Sequence, residues 1–303
     1  MKDGEPSPRL NRLVHFTPLR YPGGKGKLAA FVKRIIEENG LSDGEYVEPF
    51  AGGAAIALEL LFHEYVSRIR INDISRPIYA FWRSVLEDTE RLCRLVHDVP
   101  LTVDAWDKQK HIFKSQDQHD DLEVGFATFF LNRTNRSGIL NGGIIGGRDQ
   151  SGPWKIDARY NAAELVHRVQ SIATLKNRIA LTGEDAQRFV RDGAAAWSDQ
   201  SLIYLDPPYY VKGRQLYYDY YCHADHVELA GEVRSSLVKQ KWIVSYDNVP
   251  EIRAIYDGCR YVTYSIGYSA RETRQGSEIM FFCDGLNVPA IAGPLKEVER
   301  VAA

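Results

Sequence analysis

No stretch of this chain is apolar for long enough to cross a membrane, and its opening residues, MKDGEPSPRLNR, lack the apolar centre of a secretory signal. Both absences point to a soluble intracellular protein with no membrane partner. Cysteine is scarce. Cys93, Cys222, Cys259 and Cys283 are scattered, with no C-x-x-C pair, which argues against a zinc site or a disulfide framework and fits a reducing cytoplasm. No metal is expected. An excess of one charge is missing too: 38 Lys and Arg against 40 Asp and Glu leave a formal net charge of −2. A nucleic-acid partner would therefore have to be held by local basic patches rather than by a global field. Internal repeats and long low-complexity segments are absent.

The chain does have bulk and alternation. Its 303 residues, 44% of them apolar, suit one large domain or a domain with an insert. The 17 tyrosines and 12 phenylalanines serve either a core or stacking on bases. Short β-like runs alternate with helical ones: EYVEPF before AAIALELLFHEY, SRIRIND before RPIYAFWRSVLED, RIALTG before EDAQRFVRDG, SLIYLD before HADHVELAGEVRSSLVKQ, and KWIVSYD before VPEIRAIYDG. Such alternation implies right-handed crossovers and a largely parallel sheet covered by helices on both faces. The last two runs, RYVTYSI and SEIMFFCDG, have no helix between them and predict an antiparallel hairpin at the sheet edge. The first dozen residues read as a loose arm and GPLKEVERVAA as a short exposed end.

One region breaks the pattern. Residues 76–160 hold helical stretches but no convincing βα strand, and end in RTNRSGILNGGIIGGRDQSGPW, rich in Gly and Asn with three arginines. They predict an insert that leaves the sheet and returns to it, with residues 1–75 and 161–303 forming the domain around it. A loop this long in a compact domain is either functional or disordered.

In open parallel sheets ligands bind beyond the carboxyl ends of the strands, so the residues just after each strand carry the functional reading. After the first come Glu48-Pro49-Phe50-Ala51-Gly52-Gly53, where glycines allow a ligand close to backbone N–H groups at a helix start. After the second come Asn72-Asp73, an acid suited to two ribose hydroxyls; after the third, Glu184-Asp185. Each has a plainer alternative, a helix N-cap for the acids and a simple turn for the glycines. The stretch LIYLDPPYYVKG sharpens the choice. Asp206, Pro207, Pro208 and Tyr209 join an acid, a stiff elbow and an aromatic ring at one strand end. Upstream, PLRYPGGKGKL fails as a triphosphate loop, because Tyr21 stands where its first glycine should be and Leu28 where Ser or Thr should be, yet it presents Lys25 and Lys27 on a glycine frame.

Taken in order, YPGGK, EPFAGG, ND, GED, LDPPY and GSEIMFF resemble the DNA adenine N6-methyltransferase family that includes the Dam methylases, the D12 class, over about Phe16 to Asp284. The resemblance implies a Rossmann-like fold dependent on S-adenosylmethionine. It places the cofactor among Tyr21, Gly24, Lys25, Glu48, Phe50, Gly52, Asp73, Asp185 and Asp206, with Asp73 on the ribose and Asp185 at the adenine edge. Acids suit a cofactor that carries a sulfonium. Ala54 departs from the family, standing where a glycine is common.

The resemblance also gives the elbow a task. The amino group of adenine is a poor nucleophile because its lone pair is delocalised. Acceptors at the Asp206 side chain and the Pro207 carbonyl would free that pair, Pro208 would stiffen the turn, and Tyr209 would stack on a base flipped out of double-stranded DNA. The insert takes the place of the target-recognition region. Arg133, Asn135, Arg136 and Arg148 there, and Arg271 and Arg274 in the late hairpin, are candidate DNA contacts, with ordinary surface charge as the alternative for each arginine. The rival functions are methylation of RNA adenine and a catalytically silent DNA-binding protein on the same scaffold.

Overall fold

The structure is a computed structural model, and it describes residues 16–20, 25–211, 221–266, 277–291 and 295–301. Eight strands form one sheet: β1 (Glu45–Glu48), β2 (Arg68–Asn72), β3 (Ile179–Thr182), β4 (Ser201–Leu205), β5 (Lys241–Asp247), β6 (Arg260–Ile266), β7 (Ser277–Phe282) and β8 (Leu295–Val301). Their order is β3-β2-β1-β4-β5-β7-β6-β8. The first five run parallel to one another, as the strand–helix alternation requires. From β1 the chain works outward to β2 and β3, then returns to lay β4 on the other side of β1. That reversal opens a crevice beyond the carboxyl ends of β1 and β4, the usual ligand position in such sheets.

Burial explains the pattern of the strands. All five residues of β4 are buried, as expected of a strand covered on both faces. Tyr46, Leu202, Tyr204, Ile243, Met280 and Tyr264 point to one core, shared with α1 (Ala29–Glu38) and α2 (Ala55–Phe62). Val47, Ile203, Leu205, Val244 and Phe281 point to the other, shared with α8 (Ala186–Ala194), α9 (His223–Ser236) and α10 (Pro250–Ile255).

Between β2 and β3 lie α3 (Arg76–Glu87), α4 (Thr89–Asp98), α5 (Val103–Lys114), α6 (Asp121–Thr134) and α7 (Ala162–Thr174). Asp120 and Glu123 start α6 with a reciprocal capping box, and nearly every residue of that helix is buried. Phe81 stacks on Phe129 at 5.9 Å, and Phe129 meets Tyr160 edge-on at 5.8 Å. These side chains belong to the same buried cluster as Ile69 and Ile71 of β2, so residues 76–160 share a core with the sheet.

The late hairpin lies on the antiparallel side of the sheet, where the sequence places it, with β7 between β5 and β6. The tail is exposed, as expected, but also paired: β8 runs antiparallel to β6 and is the outermost strand. Its alternating charges secure it. Glu299 meets Arg253 at 2.8 Å and accepts from the Tyr261 hydroxyl, while Arg300 donates to the carbonyls of Val288 and Pro289. Charged residues also suit an exposed edge, where they discourage further strand pairing.

Gly125 lets α6 lie against α3. A Cβ there would sit 2.5 Å from the Ala80 carbonyl oxygen and 2.7 Å from Ser84 Oγ. Gly125→Ala is therefore expected to lower unfolding free energy by about 1–3 kcal/mol despite alanine's better helix propensity. Urea denaturation checks this, and equal or higher stability would show that the two helices can separate without loss.

Candidate active site

The strand ends that line the crevice are tied to one another through a single amide. Asn72 is fully buried at the end of β2. Its Nδ2 donates to Pro49 O (3.0 Å) and Glu184 O (2.9 Å), and its Oδ1 accepts from Thr182 Oγ1 (2.8 Å) and Glu184 N (2.9 Å). All four of its hydrogen-bonding positions are used, and the ends of β1, β2 and β3 become one piece. Beside it Asp73 accepts from Gly52 N (2.8 Å) and Ser75 N (3.0 Å). The candidate ribose acid is thereby oriented by the glycine turn that follows β1. That turn is further fixed by Trp82 Nε1 donating to Gly52 O and by Thr17 Oγ1 donating to Gly53 O. Ala54 sits in the left-handed region (φ 46°, ψ 35°), so the alanine keeps a glycine-like backbone at a strain of about 1–2 kcal/mol.

Glu48, Asp206, Asp247 and Glu278 close the strand ends of β1, β4, β5 and β7 on one face of the sheet, each held by hydroxyls or amides. Tyr46 Oη and Ala57 N donate to Glu48 Oε1 at 3.1 and 3.2 Å. The Tyr204 and Ser245 hydroxyls meet at 2.8 Å, and Ser245 Oγ donates to Asp206 Oδ1 at 2.7 Å. Asp247 accepts from Tyr210 N and Val211 N, and Glu278 from the hydroxyls of Tyr209 (2.9 Å) and Tyr264 (2.7 Å). Burial pushes the Glu48 carboxyl up to about 8, against the pull of its two donors and with help from the Asp206 charge. Tyr209 is only 6% exposed, and its hydroxyl is engaged. A ring needed only for stacking would need no such partner for its hydroxyl.

Other candidates fare differently. Asp185 is the N-cap of α8, its Oδ1 accepting from Gln187 N and Arg188 N at 3.0 and 3.1 Å, so the plainer alternative holds for at least one of its oxygens. Phe50 meets Tyr221 edge-on at 5.8 Å, and charge on Asp185 and Asp73 helps raise the Tyr221 hydroxyl, whose main cause is burial. Tyr221 thus belongs to the crevice, though nothing in its local sequence marks it. Lys25 opens a short 3-10 turn, Lys25–Leu28, that runs into α1. Tyr21, Gly24, Arg271 and Arg274 lie outside the described residues.

In the insert, two of the four candidates point inward. Asn135 is fully buried; it accepts from Trp106 Nε1 at 2.7 Å and donates to Ile139 O and Leu140 O, so its amide is committed to the fold and does not reach a base. Arg133 donates to Arg159 O (2.9 Å) and Pro18 O (3.4 Å), and burial, then the charges of Arg20 and Arg168, bring it down to about 10. It braces the segment before the glycine loop. Arg148 is exposed but doubly paired with Asp107, at 2.8 and 2.7 Å. Arg136 is exposed, just past the end of α6. Sequence reasoning missed Arg20, which burial and then the nearby Arg159 charge hold below its ordinary value. It also missed Arg159 itself and Trp154, 65% exposed beneath the Arg159 guanidinium. Among the described residues no cluster of His, Cys, Asp and Glu suits a metal ion.

A family model for the D12 class N6 adenine-specific DNA methyltransferase matches residues 21–270. The chain belongs to that family. The reaction class of this methyltransferase is accordingly methylation of adenine in DNA. A curated relative, the Type II methyltransferase M.MjaIII of Methanocaldococcus jannaschii, is 22% identical over 207 residues, 63% of this chain and 68% of that protein. Among solved structures, yhhF of Escherichia coli, described as a methyltransferase, aligns over 86% of both chains at 10% identity and a TM-score of 0.33. LPL1258 of Legionella pneumophila aligns over 89% of this chain and 88% of its own at 9% identity and a TM-score of 0.34. The methyltransferase fold is mixed α/β, a mostly parallel sheet with antiparallel strands at one side.

Glu48 gives the methyltransferase a pH signature. Its folded value lies above the ordinary 4.5, so the fold favours the protonated form. That contribution is complete below 4.5 and is lost as pH rises through about 8. Glu48→Gln, permanently neutral and still an acceptor, is expected to flatten the decline in stability between pH 4.5 and about pH 8. A single group of this kind gives a slope of at most about 1.4 kcal/mol per pH unit. Parallel curves for wild type and variant in urea titrations would refute the assignment.

Proposed function

We propose that this methyltransferase uses S-adenosylmethionine to methylate N6 of an adenine turned out of double-stranded DNA. The observation that carries the reading is Asp206, held by Ser245 at the end of β4 and facing the Glu48 turn across the crevice. The donor set fits the cofactor. Asp73 and Asp206 offer carboxylates to a cationic nucleoside, Glu48 offers a carboxyl whose ionised form a bound positive charge would favour, Gly52 offers a tight turn beside Asp73, and Phe50, with the exposed Ile74 next to Asp73 in the chain, offers apolar surface. Tyr221, edge-on to Phe50 and within the fields of Asp185 and Asp73, lines the same crevice. When bound, S-adenosylmethionine supplies a methyl group on a positively charged sulfur.

The protein's own part is to make an amide-like nitrogen reactive. The Asp206 carboxylate and the Pro207 carbonyl accept the two N–H bonds of the amino group, favouring the form whose lone pair is available. Pro207 and Pro208 fix that carbonyl before the substrate arrives, so no reorganisation is needed during the reaction. After transfer, the nitrogen carries one new N–C bond and sheds one proton, which Asp206 is placed to take. Residues 76–160 act as the target-recognition region. The Arg20–Arg159 pair presents positive charge beside the exposed Trp154, a surface suited to phosphates and an unstacked base, and the exposed Arg136 adds a further charge to this region of the chain.

Two tests follow from these roles. Asp206→Ala should fold, bind DNA and transfer almost no labelled methyl group to duplex DNA, whereas Asp206→Asn, which keeps one acceptor, should retain more activity. Full activity in Asp206→Ala, or methyl recovered on cytosine, would overturn the mechanism. The arginines separate by burial. Arg136→Ala should weaken DNA binding and flatten its salt dependence by about 0.9 in log–log slope for each phosphate no longer neutralised. Arg133→Ala should instead lower thermal stability, because the carbonyls of Arg159 and Pro18 would be left without its guanidinium. An unchanged salt slope for Arg136→Ala would return Arg136 to surface charge.

A further inference from the structure

Glu278, in the run GSEIMFF, has no task in the mechanism above, yet it occupies a costly position. In the β5–β7 pair it lies directly opposite Asp247. Residues directly opposite in an antiparallel pair share a face with their side chains close, and like charges there destabilise the pair. Glu278 is also 3% exposed, and an ionised carboxyl resists leaving water. Two adjacent acids at the end of a sheet need donors, and most of the donors found here come from one loop. Tyr210 N and Val211 N serve Asp247, and the Tyr209 hydroxyl serves Glu278. Three consecutive residues, immediately after the elbow Asp206-Pro207-Pro208, are thus held by two facing acids. A further donor, the Tyr264 hydroxyl, comes from β6, where Tyr264 also lies opposite Glu278.

We propose that Glu278 is a positioning residue for methyl transfer: it fixes the Tyr209 ring, and with Asp247 it holds the elbow in the geometry that Asp206 and the Pro207 carbonyl need. This rests on the reading of the crevice given above. Glu278 touches neither substrate nor cofactor; it acts through Tyr209. A ring free to turn about χ1 and χ2 would leave the flipped base without a fixed surface and let the elbow drift, and misplacement of about 1 Å at a reacting centre costs about 10²-fold in rate. Tyr264 differs in its place in the chain. It stands on β6 rather than on the elbow, so its bond to the same carboxylate serves burial and stability.

The test uses the full chain, unmethylated plasmid DNA and labelled S-adenosylmethionine. Glu278→Ala is expected to lower kcat by about 10²-fold and leave the calorimetric Kd for S-adenosylmethionine unchanged. Glu278→Gln, whose amide oxygen still accepts from Tyr209, should recover most of that loss. Tyr264→Phe breaks the other bond of the same carboxylate and should lower Tm with little change in kcat. Tyr209→Phe breaks the proposed bond from its other end, so the double variant with Glu278→Ala should be no slower than Glu278→Ala alone. Multiplying effects in the double variant, or equal kcat losses in Tyr264→Phe and Glu278→Ala, would overturn the proposal. Should Glu278→Ala not fold, Tyr209→Phe decides by itself: a wild-type kcat sinks the idea, and a loss at unchanged cofactor Kd supports it. Wild-type protein that transfers no methyl group to DNA would instead refute the reading of the crevice, and this inference with it.

Discussion

Four carboxyl groups crowd one face at the carboxyl end of the sheet, and the structure around the crevice follows from the need to satisfy them. Glu48, Asp206, Asp247 and Glu278 stand on neighbouring strands, partly or wholly out of water, where like charges repel strongly. Hydroxyls and backbone amides answer them: Tyr46, the Tyr204–Ser245 pair, Tyr209, Tyr264, and the amides of Ala57, Tyr210 and Val211. Tyrosine suits this role because it carries a donor on a large apolar body. The same acids that are costly to bury favour a cationic cofactor, so a requirement of folding and a requirement of binding meet in one set of residues.

Asn72 has the complementary role on the other side of the reversal point. With all four of its hydrogen-bonding positions filled inside the protein, it behaves as a rivet between β1, β2 and β3, and it leaves Asp73 to face the crevice. The insert is joined to this frame and not merely attached to it. Asn132 of α6 both accepts from and donates to the backbone of Arg20, at 2.7 and 2.8 Å, while Arg133 and Arg168 donate to Pro18 O and Thr17 O. Thr17 in turn donates to the glycine turn after β1. A short segment of chain thereby connects the proposed DNA-facing helices to the proposed cofactor turn.

Such connections explain why two arginines three residues apart have different fates. Arg133 is on the inner side of α6 and satisfies carbonyls; Arg136, just past the helix end, faces solvent. Their residue type is the same and their spacing would suit one basic patch. Burial separates them, and burial is a property of the packing between α6 and the segment before the glycine loop.

The alternation of strand-like and helical runs, the position of EPFAGG and LDPPY just after strands, and the order of the family motifs were all present in the sequence, because each depends on local periodicity or on composition at a turn. The helical nature of residues 76–160 was legible for the same reason. Pairing partners were not. RYVTYSI and SEIMFF read correctly as an antiparallel hairpin at one side of the sheet, but the seating of SEIMFF beside KWIVSYD and the pairing of the exposed LKEVERV with RYVTYSI are set by long-range hydrogen bonds that leave no local trace. Nor could sequence show that Asn135 has its amide committed to the fold or that Tyr209 is tethered through its hydroxyl, or choose between cofactor binding and the N-cap it offered for Asp185. Those facts depend on which distant donors and acceptors meet in three dimensions. Sequence by itself determined which chemical groups this chain carries at its strand ends; tertiary structure alone decided which of them remain available, because hydrogen bonding inside a folded core uses up some and exposes others.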